Sequence, residues 1–260
     1  NNDLDWGQSY YGDVSQDNIF TLAVRKKGVP VKNIKVEEKK LEFFKEIAPW
    51  MSARLTLNHK QTLPLRNLVP IDSFATIVGD PLKTFEVSFR LRFAYLENFL
   101  ENHFYRTSLG SPYPIGELMV SQGFPRVFKS SYRYTKITAS ISDYMKIPPF
   151  GTLNWRVFAG RTFGKLPYTI LDIAPGNELY YYNSFAYNMM NRWEFVHDRF
   201  AGINFEHNVG NGIFRLFPKL RWRQFWTAKA LWGSLSAENK AINFKQGHSF
   251  QSLDGKTYLE

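Results

Sequence analysis

The sequence contains no cysteine, which excludes disulfide bonds, thiolate nucleophiles and cysteine-ligated zinc. It also lacks any stretch of the roughly 18 consecutive apolar residues that a membrane-spanning helix requires. The first residues, Asn1–Trp6, have neither the basic region nor the apolar region of a signal peptide. If this chain crosses a membrane, it must do so as a closed β-barrel, because helices and closed barrels alone satisfy every backbone polar group in lipid.

Motifs that carry common enzyme chemistry are also absent. The sequence has no G-x-S-x-G turn of a serine hydrolase, no phosphate-binding loop and no dinucleotide fingerprint. Two of its five histidines, His197 and His207, share the same strand parity and have acidic neighbours, but a spacing of ten residues does not by itself bring metal ligands together. We therefore predict no catalytic residue, no metal site and no cofactor. A membrane lipid hydrolase with Ser and His on the outside of a barrel stays a second alternative.

Aromatic and basic residues are abundant. Aromatic residues make up 17% of the chain, and the formal net charge is +10. The lysines and arginines are scattered singly through alternating segments, as in Arg90-Leu91-Arg92, and do not form one basic stripe. This distribution favours a polar barrel interior and anionic lipid headgroups as partners over nucleic acid.

Strict alternation predicts long β-strands. Between Thr84 and Tyr95 one face is apolar and the other carries Arg90 and Arg92; the apolar row is Phe85, Val87, Phe89, Leu91, Phe93 and Tyr95. Ten residue steps measure about 33 Å and project to about 25 Å at a tilt of about 40°, which is the height of the lipid-facing band of a barrel. The predicted fold is therefore all-β, an antiparallel transmembrane β-barrel of the outer-membrane type.

The segment from Leu220 to Gly233 repeats this arrangement. Trp222 and Trp232 lie ten residues apart on one apolar row, as two interfacial aromatic girdles would require. The lipid-facing girdle residues are predicted to be Phe85, Tyr95, Trp222 and Trp232. Strands of a soluble β-sandwich average about five or six residues and fit such rows poorly. A secreted or periplasmic sandwich that binds glycans through exposed aromatics is nevertheless kept as the first alternative.

Residues 1–48 are predicted to form a polar N-terminal segment with a short strand at Ile19–Arg25. Opposite charges three to four residues apart predict a helix over Val36–Ile47. Residues 49–260 are predicted to supply ten to twelve barrel strands joined by turns of unequal length. Because the closing aromatic strand of such barrels is missing, we expect a partial barrel that further residues or another chain complete.

The stretch Phe150–Arg199 is predicted to form strand, long loop and strand, with the second strand starting at Asn191–Phe195. The loop has about 28 residues, which suits the cell-surface end of a barrel, and it is expected to fold over or into the barrel mouth. Clustered tyrosines combine contact area with hydrogen-bonding tips. The candidate recognition residues are accordingly Gly176, Asn177, Tyr180, Tyr181, Tyr182 and Asn183. The alternative is that these tyrosines extend the girdle or pack inside the barrel.

Three segments carry a family resemblance: AGRTFGKLPY, PGNELYYYNSFAYNMMNRWEFVHDRF and LRWRQFWTAKALWGSLSAEN. From about Phe85 to Glu260 the chain resembles the C-terminal part of a Bacteroidota family of outer-membrane β-barrels of unknown function. In that family the barrel usually follows a carboxypeptidase-regulatory-like domain, which is not evident here. The resemblance implies an outer-membrane location and membership of a larger envelope complex, for example in export, surface-protein biogenesis or nutrient uptake. We expect a structural, transport or assembly role without enzymatic activity.

Overall fold

Alternating side chains produce long strands in this protein. The computed structural model describes residues 2–5, 25–29, 32, 34–64, 68, 81–101, 106–184, 186–210, 223–244 and 251–260. Fourteen β-strands lie in these residues: β1 (Asn2–Asp5), β2 (Ile34–Ala48), β3 (Met51–Pro64), β4 (Leu82–Phe93), β5 (Asn98–Glu101), β6 (Arg106–Gly110), β7 (Ile115–Gly123), β8 (Tyr134–Lys146), β9 (Thr152–Phe163), β10 (Asp172–Ile173), β11 (Val196–His197), β12 (Arg199–Gly210), β13 (Gln224–Ser234) and β14 (Thr257–Leu259).

Ten of these strands form one sheet in the order β1-β2-β3-β4-β7-β8-β9-β12-β13-β14. All of the neighbouring strands are antiparallel. The pairs β5–β6 and β10–β11 form two small sheets within connections. The predicted all-β antiparallel architecture is therefore confirmed. Within the described residues the large sheet is not closed into a barrel, and β1 and β14 form its edges.

The strand register places polar and apolar rows on opposite faces of the large sheet. Arg90 of β4 pairs with Arg54 of β3, and Phe89 pairs with Leu55. We call the face that carries Arg90 the inner face and the face that carries Phe89 the outer face. Over much of the sheet the outer face is apolar and exposed, with residues that include Leu55, Phe89, Leu118, Val120, Ile137, Val157, Ile203, Trp226 and Trp232.

The buried core lies on the inner face. Residues 164–198, which connect β9 to β12 and which we call the inner loop, provide most of it. One cluster contains Tyr168 and Trp193 of this loop, and a second packs its Tyr187 against Phe158 and Phe200 of the sheet. A covered polar face and an exposed apolar face are the reverse of the arrangement in a water-soluble sheet.

The predicted helix at Val36–Ile47 is wrong, because these residues belong to β2 and pair with β3 over almost the whole strand. Glu38 has a partner on the neighbouring strand, since Asn58 of β3 donates a 2.6 Å hydrogen bond to it, and Lys40 pairs with Glu42 along β2 at 2.7 Å. Strand β2 therefore lies in one sheet with β3, across the predicted division between residues 48 and 49.

The predicted strand at Asn191–Phe195 is also wrong. Arg192 and Trp193 form a turn, and Phe195 makes an isolated parallel bridge to Gln251. Trp193 has a positive φ of 56° and a fully buried side chain. Burial of this large indole outweighs the local preference for extended backbone. Extended structure resumes at β11 and β12. Of the predicted strand Ile19–Arg25, all but Arg25 lies outside the described residues.

A short helix, α1 (Ala237–Asn243), follows β13. Ser236 caps its N-terminus by accepting a hydrogen bond from the Asn239 amide. In the part of the chain that the structure describes, no helix is long and apolar enough to cross a membrane.

Candidate functional site: the inner loop

The inner loop is buried to an extent that is unusual for a connection between strands. From Leu166 to Leu179 every residue except Asp172 is buried. Buried backbone must find hydrogen-bond partners inside the protein, because water cannot reach it. The structure supplies these partners through backbone groups, as in the 3.0 Å bond from the Ala174 amide to the Phe195 carbonyl, and through asparagine side chains.

Two asparagines of α1 hold the start of the inner loop. Asn239 accepts a 3.0 Å hydrogen bond from the Leu166 amide, and Asn243 accepts a 2.7 Å bond from the Tyr168 amide and donates a 2.9 Å bond to the Leu166 carbonyl. Because the two residues are four apart, they project from the same side of the helix. Both are fully buried.

Asp198 connects α1 to the end of the inner loop. Its buried carboxylate accepts hydrogen bonds of 2.8 Å from the Ser236 amide and 3.1 Å from the Asn239 side chain. The sequence analysis did not identify Asp198, Asn239 or Asn243 as site residues. The sequence contains one sign of them, a possible N-cap serine followed by asparagines at helical spacing. Their role as site residues follows only from the contact between the helix and the loop.

The predicted residues Gly176, Asn177 and Asn183 serve to shape the loop. A Cβ at Gly176 would overlap the Asn191 carbonyl. Asn177 is buried, accepts a 2.9 Å hydrogen bond from the Leu179 amide, and donates bonds of 2.8 Å to the Tyr181 carbonyl and to the Asn188 side chain. The Asn183 amide donates a 2.7 Å bond to the same Asn188 side chain.

The three predicted tyrosines protrude from the loop. Tyr180, Tyr181 and Tyr182 are exposed. The Tyr182 hydroxyl donates a 3.4 Å hydrogen bond to Glu206 on the inner face of β12. Partial burial raises the pKa of Tyr182 to about 12, and the charge of Glu206 adds to this effect. The loop thus places the Tyr182 ring over the inner face of the sheet, with the Lys229 Nζ 4.9 Å from its ring centre, whereas the Tyr180 hydroxyl accepts a 3.2 Å hydrogen bond from the Lys27 amide.

Basic side chains from two parts of the protein, β13 and the N-terminal segment, hold the tip of the loop. Lys229 of β13 donates hydrogen bonds of 3.1 Å and 2.5 Å to the carbonyls of Asn183 and Ala186. From the N-terminal segment, Arg25 forms a 2.7 Å ion pair with the buried side chain of Glu178, and Lys26 donates to the Asn177 carbonyl at 2.8 Å. The loop is therefore bound both to the sheet and to the segment that precedes β2.

A polar cavity of about 220 Å³ lies between the inner loop and the sheet. Asp172 of the loop lines it and accepts a 2.6 Å hydrogen bond from Thr162, with Lys136 at 3.9 Å. Burial raises the pKa of Asp172, while Lys136 and the bond from Thr162 oppose the rise. Thr169 also lines the cavity, and its buried hydroxyl has no hydrogen-bond partner among the described residues. The cavity is built to hold water or a small polar solute.

A larger cavity of about 990 Å³ lies at the opposite end of the inner face, beside the β2–β3 turn and the β5–β6 hairpin. Arginines and glutamates alternate on its wall. Glu117 forms ion pairs with Arg90 at 2.6 Å, with Arg92 at 3.4 Å and with Arg156 at 3.9 Å, and Arg92 also pairs with Glu97. One end of the inner face is thus open and charged, whereas the other end is filled by the inner loop.

The two histidines considered as metal ligands, His197 and His207, lie in different surroundings. His197 is buried beside Gly233, where a Cβ would overlap the imidazole ring. His207 lies at the other end of β12, next to the Phe150 carbonyl at 2.8 Å. Among the described residues there is no group of three or more acidic or histidine side chains that could hold a metal ion.

The predicted girdle residues lie near the ends of the strands. Phe85 is on the outer face near the start of β4, 5.4 Å from the ring of Phe128. Tyr95 follows the end of β4 and is exposed, 5.2 Å from Tyr113. Trp232 is exposed on the outer face near the end of β13 and donates a 2.8 Å hydrogen bond to the Gly255 carbonyl. Trp222 lies outside the described residues.

An open meander of long strands, with an apolar outer face and a polar inner face, defines a β protein of the outer-membrane type. The chain is similar to the crystal structure of BamA from Haemophilus ducreyi lacking POTRA domains 1–3, with a TM-score of 0.52 and 11% sequence identity. The match covers 90% of this chain and 49% of that chain, so this chain spans about half the length of that structure. At this identity the likeness shows the fold alone.

Sequence comparison then gives the family. Residues 63–241 match the C-terminal domain of a family of unknown function (DUF5686). Because the match covers more than half of the chain, the chain belongs to this family. No curated protein matches the sequence.

Proposed function

We propose that this chain forms part of the wall and the internal plug of a β-barrel in the bacterial outer membrane. Its role is structural or in transport or assembly, without enzymatic activity, as a subunit of a larger envelope complex. The observation that carries the proposal is the pairing of an exposed apolar outer face with an inner face that the inner loop fills at one end.

The dimensions of the strands support a membrane location. Strands β3, β4, β8, β9 and β12 have 12 to 14 residues each, or about 40 to 46 Å at about 3.3 Å per residue. Tilted by about 40°, such strands exceed the roughly 25 Å apolar band of an outer-membrane barrel and carry their ends into the interfaces. Water-soluble monomeric proteins rarely expose a contiguous apolar face of this extent.

The arrangement of the inner face supports a plug. The inner loop fills one end, while a charged cavity of about 990 Å³ occupies the other. A polar solute that enters the cavity meets the loop and the exposed rings of Tyr180–Tyr182 before it can pass. In a transport role, passage of the solute through the barrel therefore requires the loop to move. In an assembly role, the loop offers a docking surface to another envelope protein that approaches from the open side.

Membrane fractionation tests the location. We expect the protein, expressed with its complete native chain, to resist carbonate extraction, to require detergent, and to migrate differently on gels before and after heating, as folded barrels do. A soluble periplasmic protein carried through the same steps is the control. Recovery of folded protein in the soluble fraction without detergent would favour the glycan-binding sandwich and overturn the proposal. Phospholipid turnover by the purified protein would favour the lipid hydrolase.

A further inference from the structure

We infer that Arg161 and Arg199 form a binding site for the phosphate group of an anionic membrane lipid. Arg161 of β9 and Arg199 of β12 are direct partners in the register, and both side chains are exposed. They lie on the outer face, in the rows that continue as Ala159 and Ala201. The inference rests on the proposed function, because a lipid headgroup reaches this face only when the sheet stands in a membrane.

Among the described residues, the two arginines carry more positive charge than their acidic neighbours neutralise. Like charges directly opposite each other on neighbouring strands destabilise a sheet. Asp198 Oδ1 lies 3.6 Å from the Arg199 Nε, while the other oxygen of this buried carboxylate, Oδ2, accepts hydrogen bonds from Ser236 and Asn239. Within the described part of the chain Arg161 forms no ion pair, and its guanidinium group lies 4.4 Å from the ring centre of Phe163. Among the described residues the two arginines therefore have one ion pair between them, that of Arg199 with Asp198.

The level of the arginine pair along the strands is that of a lipid headgroup. Beyond the two alanines the outer rows become apolar with Val157 and Ile203, which are both exposed. Phe163 and Trp232 are exposed on the same face near the same strand ends. Aromatic rings of this kind mark the boundary between the apolar band and the headgroups of a membrane. Guanidinium groups at that boundary meet the lipid phosphates.

The chemistry of the pair selects a phosphate. A guanidinium group donates two parallel hydrogen bonds to phosphate oxygens, so two adjacent groups can hold one phosphate from two sides. At the other end of the same two strands the corresponding outer-face pair is His207 and Leu153, which offers no such fork. The site is therefore specific to one end of the barrel and to one leaflet.

Lipid counting in bilayer discs tests the inference. The full-length protein is reconstituted in discs of equal phosphatidylglycerol and phosphatidylcholine, released in mild detergent, and its retained lipids are counted by native mass spectrometry. We expect the wild-type protein to retain more phosphatidylglycerol than phosphatidylcholine. In the double variant Arg161→Gln/Arg199→Gln, the ratio of the two retained lipids should fall about fivefold for each arginine removed. Arg161→Lys/Arg199→Lys should retain part of the enrichment, since it keeps the charge but not the fork.

The matched control is Lys35→Gln/Lys83→Gln, which removes the same charge from the outer face at the same end but from separated strands. It should keep the enrichment. Equal enrichment in the wild type and the double arginine variant would overturn the inference, as would equal losses in both double variants. Complete displacement of phosphatidylglycerol by inorganic phosphate would also overturn it, in favour of a free anion. Failure of the wild type to enter discs is a separate result, which would reject the proposed membrane location itself.

Discussion

At the scale of single residues, the two faces of one strand should respond in opposite ways to the same substitution. Ala228 and Thr227 are adjacent in β13, both are exposed, and they lie on the outer and inner faces respectively. We expect Ala228→Arg to reduce the free energy of unfolding by about 2 to 4 kcal/mol, because it places a charge in the apolar band. Thr227→Arg is the matched control and should change it by less than about 1 kcal/mol.

Urea titration of protein refolded into lipid vesicles measures both free energies. Similar losses for the two variants would contradict the assignment of the outer face to lipid. The structure shows that Lys229 holds the inner loop, so Lys229→Ala would combine loss of the loop contacts with loss of charge and makes a poor control.

The buried His197 predicts a pH dependence. Desolvation lowers its pKa to about 4, against a smaller opposing effect of Asp198. The unfolded chain, with an ordinary histidine pKa of about 6.5, therefore binds more protons than the folded chain between these values. Stability should fall as the pH decreases from about 6.5 to about 4, by roughly 3 kcal/mol.

Unfolding free energies of the wild type and His197→Gln, measured at pH 7.5 and pH 4.5, isolate this contribution. The wild type should lose more stability on acidification than the variant, because the variant has no imidazole to protonate. Equal losses would show that His197 is accessible to protons in the folded protein. Asp172 has a raised pKa and contributes in the opposite direction in both proteins, so it cancels in the comparison.

At the scale of elements, α1 acts as a clamp on the inner loop. Asn243→Ala leaves the buried Tyr168 amide and one hydrogen bond of the Leu166 carbonyl without a partner. Each buried group left unsatisfied costs about 1 to 3 kcal/mol. We expect the sheet to survive and the start of the inner loop to become susceptible to protease. Limited proteolysis with mass mapping measures this, and Ala241→Ser on the exposed side of the same helix is the control. An unchanged cleavage pattern would mean that other contacts hold the loop.

At the scale of the whole molecule, the inner face is open at one end and filled at the other. Replacing Tyr180, Tyr181 and Tyr182 with Ala removes exposed rings without removing core contacts. We expect the variant to fold, as judged by heat-dependent gel migration, and to show either increased solute permeability in vesicles or weaker retention of envelope partners in co-purification. Asn177→Ala, which loosens the loop itself, should increase permeability further. If both properties stay at wild-type levels in the tyrosine variant, these rings have only a packing role.

The sequence by itself determined the strands and their two faces. The rows that contain Phe89 and Arg90 alternate over so many residues that no other regular structure separates their side chains in this way. Gly164 and Pro167 are residue types that interrupt strands, and they follow directly after the end of β9 at Phe163. The length of the following segment also indicated an ordered loop that folds inward.

The tertiary structure alone decided the details of the inner loop. Val36–Ile47 has charge spacings that suit a helix, and strand pairing with β3 overrode them. In the sequence, Asn177 and Asn239 look like surface asparagines. Their buried side chains serve as hydrogen-bond partners for backbone groups of the loop, and the tertiary structure decides which backbone groups are removed from water. Arg161 and Arg199 are 38 residues apart in the sequence and become neighbours through the β9–β12 register. Local periodicity fixes which side of a strand a residue takes, whereas contacts between distant segments arise only when the whole sheet is assembled.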